Sequence, residues 1–118
     1  MELTRRQIGS VMVLAFAEKL SLEGETSARF KEKIRAVIGE GRRQLVIDMG
    51  NVAFIDSSGL GALISALKVL RANGGDLKLA NLSEQVAAVL DITRLLRVFD
   101  TYTTAEAALE SIAEPRTA

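Results

Sequence analysis

A chain of 118 residues, 48% of them hydrophobic, is the length of one domain and can fill one modest core. Fifteen basic and fifteen acidic residues cancel, and the arginines are scattered rather than gathered in a stripe, so the charge gives no reason to expect nucleic acid or an anionic membrane surface as partner. Cysteine and histidine are both absent, which removes disulfides, thiolate zinc sites, imidazole ligands and the commonest general base.

In chain order, Leu3 to Ile8 and Ser10 to Ala17 read as two strands around Gly9-Ser10, a small-residue turn of the hairpin kind. The apolar run Val11 to Ala17 is too short to cross a membrane, and the chain reads as a cytoplasmic protein. Glu23-Gly24-Glu25-Thr26 opens a helix in which Phe30, Ile34, Val37 and Ile38 recur at helical spacing, and Gly39-Glu40-Gly41 closes it. Gln44 to Asp48 is a short buried strand, followed by a link through Asn51 and a helix from about Ser58 to Asn73 carrying Leu60, Leu63, Ile64, Leu67 and Leu70. After Gly74-Gly75, Asp76 to Ala80 resumes as a strand. A third helix begins near Ser83 with Val86, Val89 and Leu90, and Arg97 to Tyr102 reads as a last strand. Thr103 or Thr104 can cap a final helix to about Ala113, leaving residues 114–118 as an expected disordered tail. Strands alternating with helices imply an α/β domain with a mostly parallel sheet and right-handed crossovers.

The richest stretch is Phe54-Ile55-Asp56-Ser57-Ser58-Gly59-Leu60-Gly61, where an apolar segment becomes a helix behind one carboxylate and two hydroxyls. Asp56, Ser57 or Ser58 can be the N-cap, and residue types alone favour a plain cap. The free N–H groups and partial positive charge of a helix start would accommodate a phosphate on either serine. Gly59 and Gly61 either let a partner's backbone come close or simply relieve crowding between helix and sheet. Leu60, in the first turn, could face outward as a docking contact.

Asp-Ser-Ser-Gly-Leu-Gly after a strand, entering an amphipathic helix, resembles the signature of the STAS domain (sulphate transporter and anti-sigma antagonist) as found in bacterial anti-sigma factor antagonists. The likeness runs on through Gly74 to Leu79 and an Ala-Glu-Ala-Ala-Leu run from Ala105 to Leu109. The resemblance implies one STAS domain over 1–118: a central mixed sheet of about five strands, with about four helices mainly on one face. It further implies Ser57 as the phosphorylated residue, and Asp56, Ser57, Ser58, Gly59, Leu60 and Gly61 as part of a partner-binding surface. The implied partners are an anti-sigma factor with serine kinase activity and a serine phosphatase, with a homodimer left open. A scaffold subunit of a stress-sensing assembly or of a lipid-transport ATPase complex is the alternative. Two loops depart from the family pattern. Residues 17–24 are longer and lack an aspartate, and the family's Asp-x-Ser-Gly-Leu becomes Asp91-Ile92-Thr93-Arg94-Leu95, which bears on partner choice.

Enzymatic readings are weak. A serine nucleophile needs a base within reach, and the Ser65-x-x-Lys68 match lies mid-helix without its companion motifs. Gly39-Glu40-Gly41 and Gly59-Leu60-Gly61 lack the remainder of a phosphate-binding loop, so no nucleotide or other cofactor is expected. Asp48, Asp56 and Asp100, the only candidates for a metal cluster, are more simply turn formers, and no metal is expected.

Overall fold

Alternate residues of Val11–Phe16 serve two different faces of one sheet, and both faces are covered. The computed structural model describes residues 1–113; the expected disordered tail, 114–118, lies outside the described residues. The order is β1 (Leu3–Ile8), β2 (Val11–Phe16), β3 (Leu20–Leu22), α1 (Gly24–Gly39), β4 (Gln44–Asp48), β5 (Val52–Ile55), α2 (Ser57–Ala72), β6 (Asp76–Ala80), α3 (Glu84–Ile92), β7 (Asp100–Tyr102) and α4 (Ala105–Ala113). The main sheet runs β1-β2-β4-β6-β7, with β1 antiparallel to β2 and the other neighbours parallel. β1 and β2 are joined at Gly9-Ser10 as a hairpin, Ile8 opposite Val11.

Met12, Leu14, Leu45, Ile47, Leu77 and Leu79 point to one side of the sheet, into a core shared with Phe30 and Ile34 of α1, Leu63 and Leu70 of α2, and Val86 and Leu90 of α3. Phe16 and Phe30 meet there with ring centroids 5.3 Å apart. On the other side Val11, Val13, Val46 and Ala80 are covered by Ala105 and Ala108 of α4. Three helices on one face and a short one on the other give the mixed five-strand sheet and four helices expected of this class. A large apolar side chain taken fully out of water contributes about 1.5–3 kcal/mol, so the larger face carries most of the stability.

Two short strands escape the periodicity. β3 and β5 pair with each other in parallel, outside the main sheet, with a register irregularity between Leu20 and Ser21. Each leads directly into a helix, β3 into α1 and β5 into α2, so the two helices start side by side at one end of the molecule. The loop over 17–24 thus contains a strand, and the link after Asn51 contains another. The Asn51 side chain ties that link down by donating to the Phe16 carbonyl at 2.7 Å.

The expected last strand is also corrected. Leu95–Arg97 forms a 3-10 turn, and only Asp100–Tyr102 pairs with β6. Phe99, between them, is buried and anchors the turn in the core. Arg94, just before it, has φ 64°, in the left-handed region that a side chain disfavours. α1 closes at Glu40, and Gly41 at φ 94° reverses the chain as a glycine after a helix does.

Candidate functional site

The start of α2 is built around one carboxylate. Asp56 is extended at φ −104° and ψ −172°, the backbone of an N-cap, and its N–H donates to the Leu22 carbonyl at 3.0 Å. Its Oδ1 accepts from the Ser58 N–H at 2.9 Å and the Gly59 N–H at 3.1 Å, and also from the Ser58 hydroxyl. The Ser58 hydroxyl, then the N–H groups of Gly59, Ser58 and Gly24, hold the Asp56 carboxyl below the usual carboxylate range against a smaller opposing effect of burial. It is a fixed negative charge at neutral pH.

This arrangement separates the two serines. Both are exposed, but the Ser58 hydroxyl is committed to Asp56. Among the described residues the Ser57 hydroxyl has no hydrogen-bond partner. Ser57 is the first residue of α2, so its side chain stands at the helix rim. The N–H groups expected to receive a phosphate are only partly available, because Asp56 already occupies those of Ser58 and Gly59.

The glycines divide as well. A Cβ on Gly59 would sit 2.7 Å from Ile55 Cγ1 and 2.8 Å from the Leu22 carbonyl oxygen, so this glycine lets α2 pack on the β3–β5 pair. A Cβ on Gly61 would meet nothing within 4 Å. Of the two, Gly61 is the one open to a partner. Leu60 does not face outward: only 7% of its surface is accessible, and its side chain belongs to the core. Helical geometry explains the difference, since Leu60, Leu63 and Leu67 share the inward stripe while Ser57, Gly61 and Lys68 lie on the outward side.

Phe54, two residues before Asp56, is 40% exposed. It lies in β5 opposite Ser21, flanked by the buried Ile55. An accessible aromatic beside the serines was not singled out from sequence, because a four-residue strand is too short to show which side each residue takes.

The remaining candidates are dispersed. Asp48 accepts from the Gly50 N–H at 2.9 Å and from Asn81 Nδ2 at 3.3 Å, and Asp100 pairs with Lys78 at 2.8 Å. Among the described residues no group of three or more acidic side chains is gathered to hold a metal ion. Ser65 is half-buried and Lys68 exposed along α2. No described helix is long and apolar enough to cross a membrane.

A β-hairpin extended by parallel strands into a mixed five-strand sheet, with four helices, is the fold of the STAS class. The family model of the STAS domain matches residues 2–108, and the chain belongs to that family. It is 37% identical over 70 residues to the anti-sigma-B factor antagonist of Bacillus subtilis, a match covering 59% of this chain and 63% of that protein, so under two thirds of that relative's length is spanned. The anti-sigma F factor antagonist of Paenibacillus polymyxa is 29% identical over 86 residues, 69% of this chain and 74% of that one. The anti-sigma factor antagonist SpoIIAA in its unphosphorylated form has the same fold, with a TM-score of 0.80 at 20% identity over 98% of this chain and 100% of that one. SpoIIAA from Bacillus in its phosphorylated form gives 0.71 at 20% identity, over 94% and 99%. At that identity the likeness is one of fold.

Proposed function

We propose that this chain is a single STAS domain acting as a cytoplasmic anti-sigma factor antagonist, switched by phosphorylation of Ser57. Unphosphorylated, it binds an anti-sigma factor that is itself a serine kinase, and so frees the sigma factor. Phosphorylated, it lets the anti-sigma factor go, and a serine phosphatase resets it. The chain is then substrate and regulator rather than enzyme, and the ATP belongs to the kinase. The observation that carries this reading is the free, exposed Ser57 hydroxyl beside a Ser58 hydroxyl already bound to Asp56. The relatives that are anti-sigma factor antagonists support it.

The switch works through charge. A phosphate adds about 1.5–2 negative charges at neutral pH, one residue from the ionised Asp56 and one helical turn from the open Gly61, where a partner would approach closely. Repulsion and desolvation then oppose docking without any change of fold. Incubation with the cognate kinase and ATP, followed by peptide mass spectrometry, is expected to place the phosphate on Ser57. Modification confined to Ser58 or a threonine would reject the assignment. By calorimetry Ser57→Ala should keep partner binding and Ser57→Asp weaken it, partially, since aspartate carries less charge. Equal affinities would favour the scaffold alternative.

A further inference from the structure

β1 closes one side of the main sheet, and its outer edge has no strand beside it. The hairpin register fixes which backbone groups that edge presents. Ile8 and Val11 flank a two-residue turn, and the Ala17 N–H donates to the Glu2 carbonyl at 3.0 Å, so Thr4, Arg6 and Ile8 are the residues whose backbone bonds to β2. The N–H and C=O groups of Leu3, Arg5 and Gln7 point the other way, and among the described residues nothing hydrogen-bonds to them. Proteins blunt such edges with short strands, proline or bulges. β1 has six residues in unbroken register and no proline, whereas β7, at the opposite edge, has three residues.

The two faces of β1 differ. On the α1 side Leu3 packs against the core and Arg5 is held by Glu40. On the α4 side Thr4, Arg6 and Ile8 stand opposite Ala15, Val13 and Val11, and although α4 covers those two valines, no β1 residue joins that cluster. Thr4 and Arg6 instead line a hollow of ≈ 460 Å³ beside Ala105 and Glu106. Ile8 ends the row, 41% exposed. Arg6 is exposed, and among the described residues it has no carboxylate within salt-bridge distance: the acidic groups that share the hollow, Asp48 and Glu106, sit inward on β4 and α4.

We infer that the open edge of β1 takes an acidic extended segment of a partner protein as an added strand. The segment runs antiparallel to β1, bonds to the backbone of Leu3, Arg5 and Gln7, and sets a carboxylate opposite Arg6 and an apolar side chain opposite Ile8. In strand addition the main-chain bonds supply affinity, and alternate side chains supply specificity. Charge argues against a second copy in this place. Two β1 strands paired about a two-fold axis, in the register that uses all the open groups, set Arg5 opposite its own copy, and each strand brings two arginines and no acidic residue. Like charges directly opposite are destabilising. The inference does not rest on the serine switch, since no residue of β1 belongs to the Asp56–Gly61 turn.

The probe is a synthetic extended peptide, Thr-Val-Thr-Glu-Thr-Thr-Thr, with one copy carrying lysine for glutamate and another N-methylated at the amides that face β1. Titrated into isotope-labelled full chain, the glutamate peptide should shift the amide signals of Leu3, Arg5 and Gln7 saturably and slow their exchange with solvent; neither copy should. Arg6→Glu should weaken the glutamate peptide by about tenfold and admit the lysine peptide. Ser57→Asp should leave the glutamate peptide's affinity unchanged. The absence of a saturable shift, shifts centred elsewhere, equal binding of the N-methylated copy, or a preference that survives Arg6→Glu would overturn the inference. So would sedimentation showing a dimer of the free chain that Gln7→Pro, a change an edge strand tolerates, disrupts, which would assign the edge to a second copy.

Discussion

At the scale of single residues, Asp56 does the organising. Its carboxylate closes the start of α2 with two backbone N–H groups and a hydroxyl, so Ser57 is spared from capping. Ser57→Ala should therefore leave the denaturation midpoint almost unchanged, whereas Asp56→Ala should lower it. The pH dependence has a definite sign. The folded-state pKa of Asp56 is lowered, so its contribution is complete above the ordinary carboxylate value and fades as the pH falls through the folded value. The gap in urea midpoint between the parent and Asp56→Ala should hold at neutral pH and narrow below about pH 4. The neighbouring glycines give opposite expectations. Gly59→Ala forces a methyl against Leu22 and Ile55 and should cost roughly 1–3 kcal/mol by thermal or chemical denaturation. Gly61→Ala meets nothing and should stabilise by roughly 0.5–1 kcal/mol through helix propensity, while weakening the partner if that face is the docking surface. The sequence exposed the cap motif but not which hydroxyl it would consume. That choice depends on rotamer and backbone geometry, which decide which of two chemically identical neighbouring hydroxyls reaches the Asp56 carboxylate.

Among elements, those with a full period of pattern were legible. α1, α2, β4 and β6 fall within a residue or so of where hydrophobic spacing put them, because ten or more helical residues, or a run bounded by glycines, leave little choice. β3 and β5 were not legible: three and four residues cannot show alternation, and their partners are each other rather than the main sheet. Leu60 differs: its spacing to Leu63 and Leu67 already sets it on the inward stripe, and its position beside the serines is no reason for it to face outward. The turn before β7 offers a test at this scale. The family pattern has glycine where this chain has Arg94, and Arg94 sits in the left-handed region at φ 64°. A side chain there costs of order 1–2 kcal/mol. Arg94→Gly should accordingly raise stability by about 1 kcal/mol, the relief being partly offset by the freedom glycine gains in the unfolded chain. A loss of stability on this change would mean that the Arg94 side chain has a structural contact outweighing the strain.

For the whole molecule, alternation of strands and helices indicated an α/β domain and a mostly parallel sheet, and the structure has both. What alternation leaves undetermined is which face each helix takes. α4 resembles the other helices in sequence but lies alone on the far side, over Val11, Val13, Val46 and Ala80. The small residues Ala105 and Ala108 let it lie close on that face, and this distinction lies in side-chain size rather than in hydrophobic period.

The order of strands across the main sheet, β1-β2-β4-β6-β7, is also their order along the chain. A nascent chain leaving the ribosome N-terminus first therefore presents each strand next to an edge that already exists, beginning with a hairpin that needs only a two-residue turn. The sheet can grow by accretion at one advancing border, and no early strand has to wait apart for a later one to be inserted between it and its neighbour. The β3–β5 ribbon, from which both α1 and α2 depart, joins segments separated by a whole helix, as the parallel pairs of the main sheet do, so the serine-bearing end is completed only once β5 has emerged.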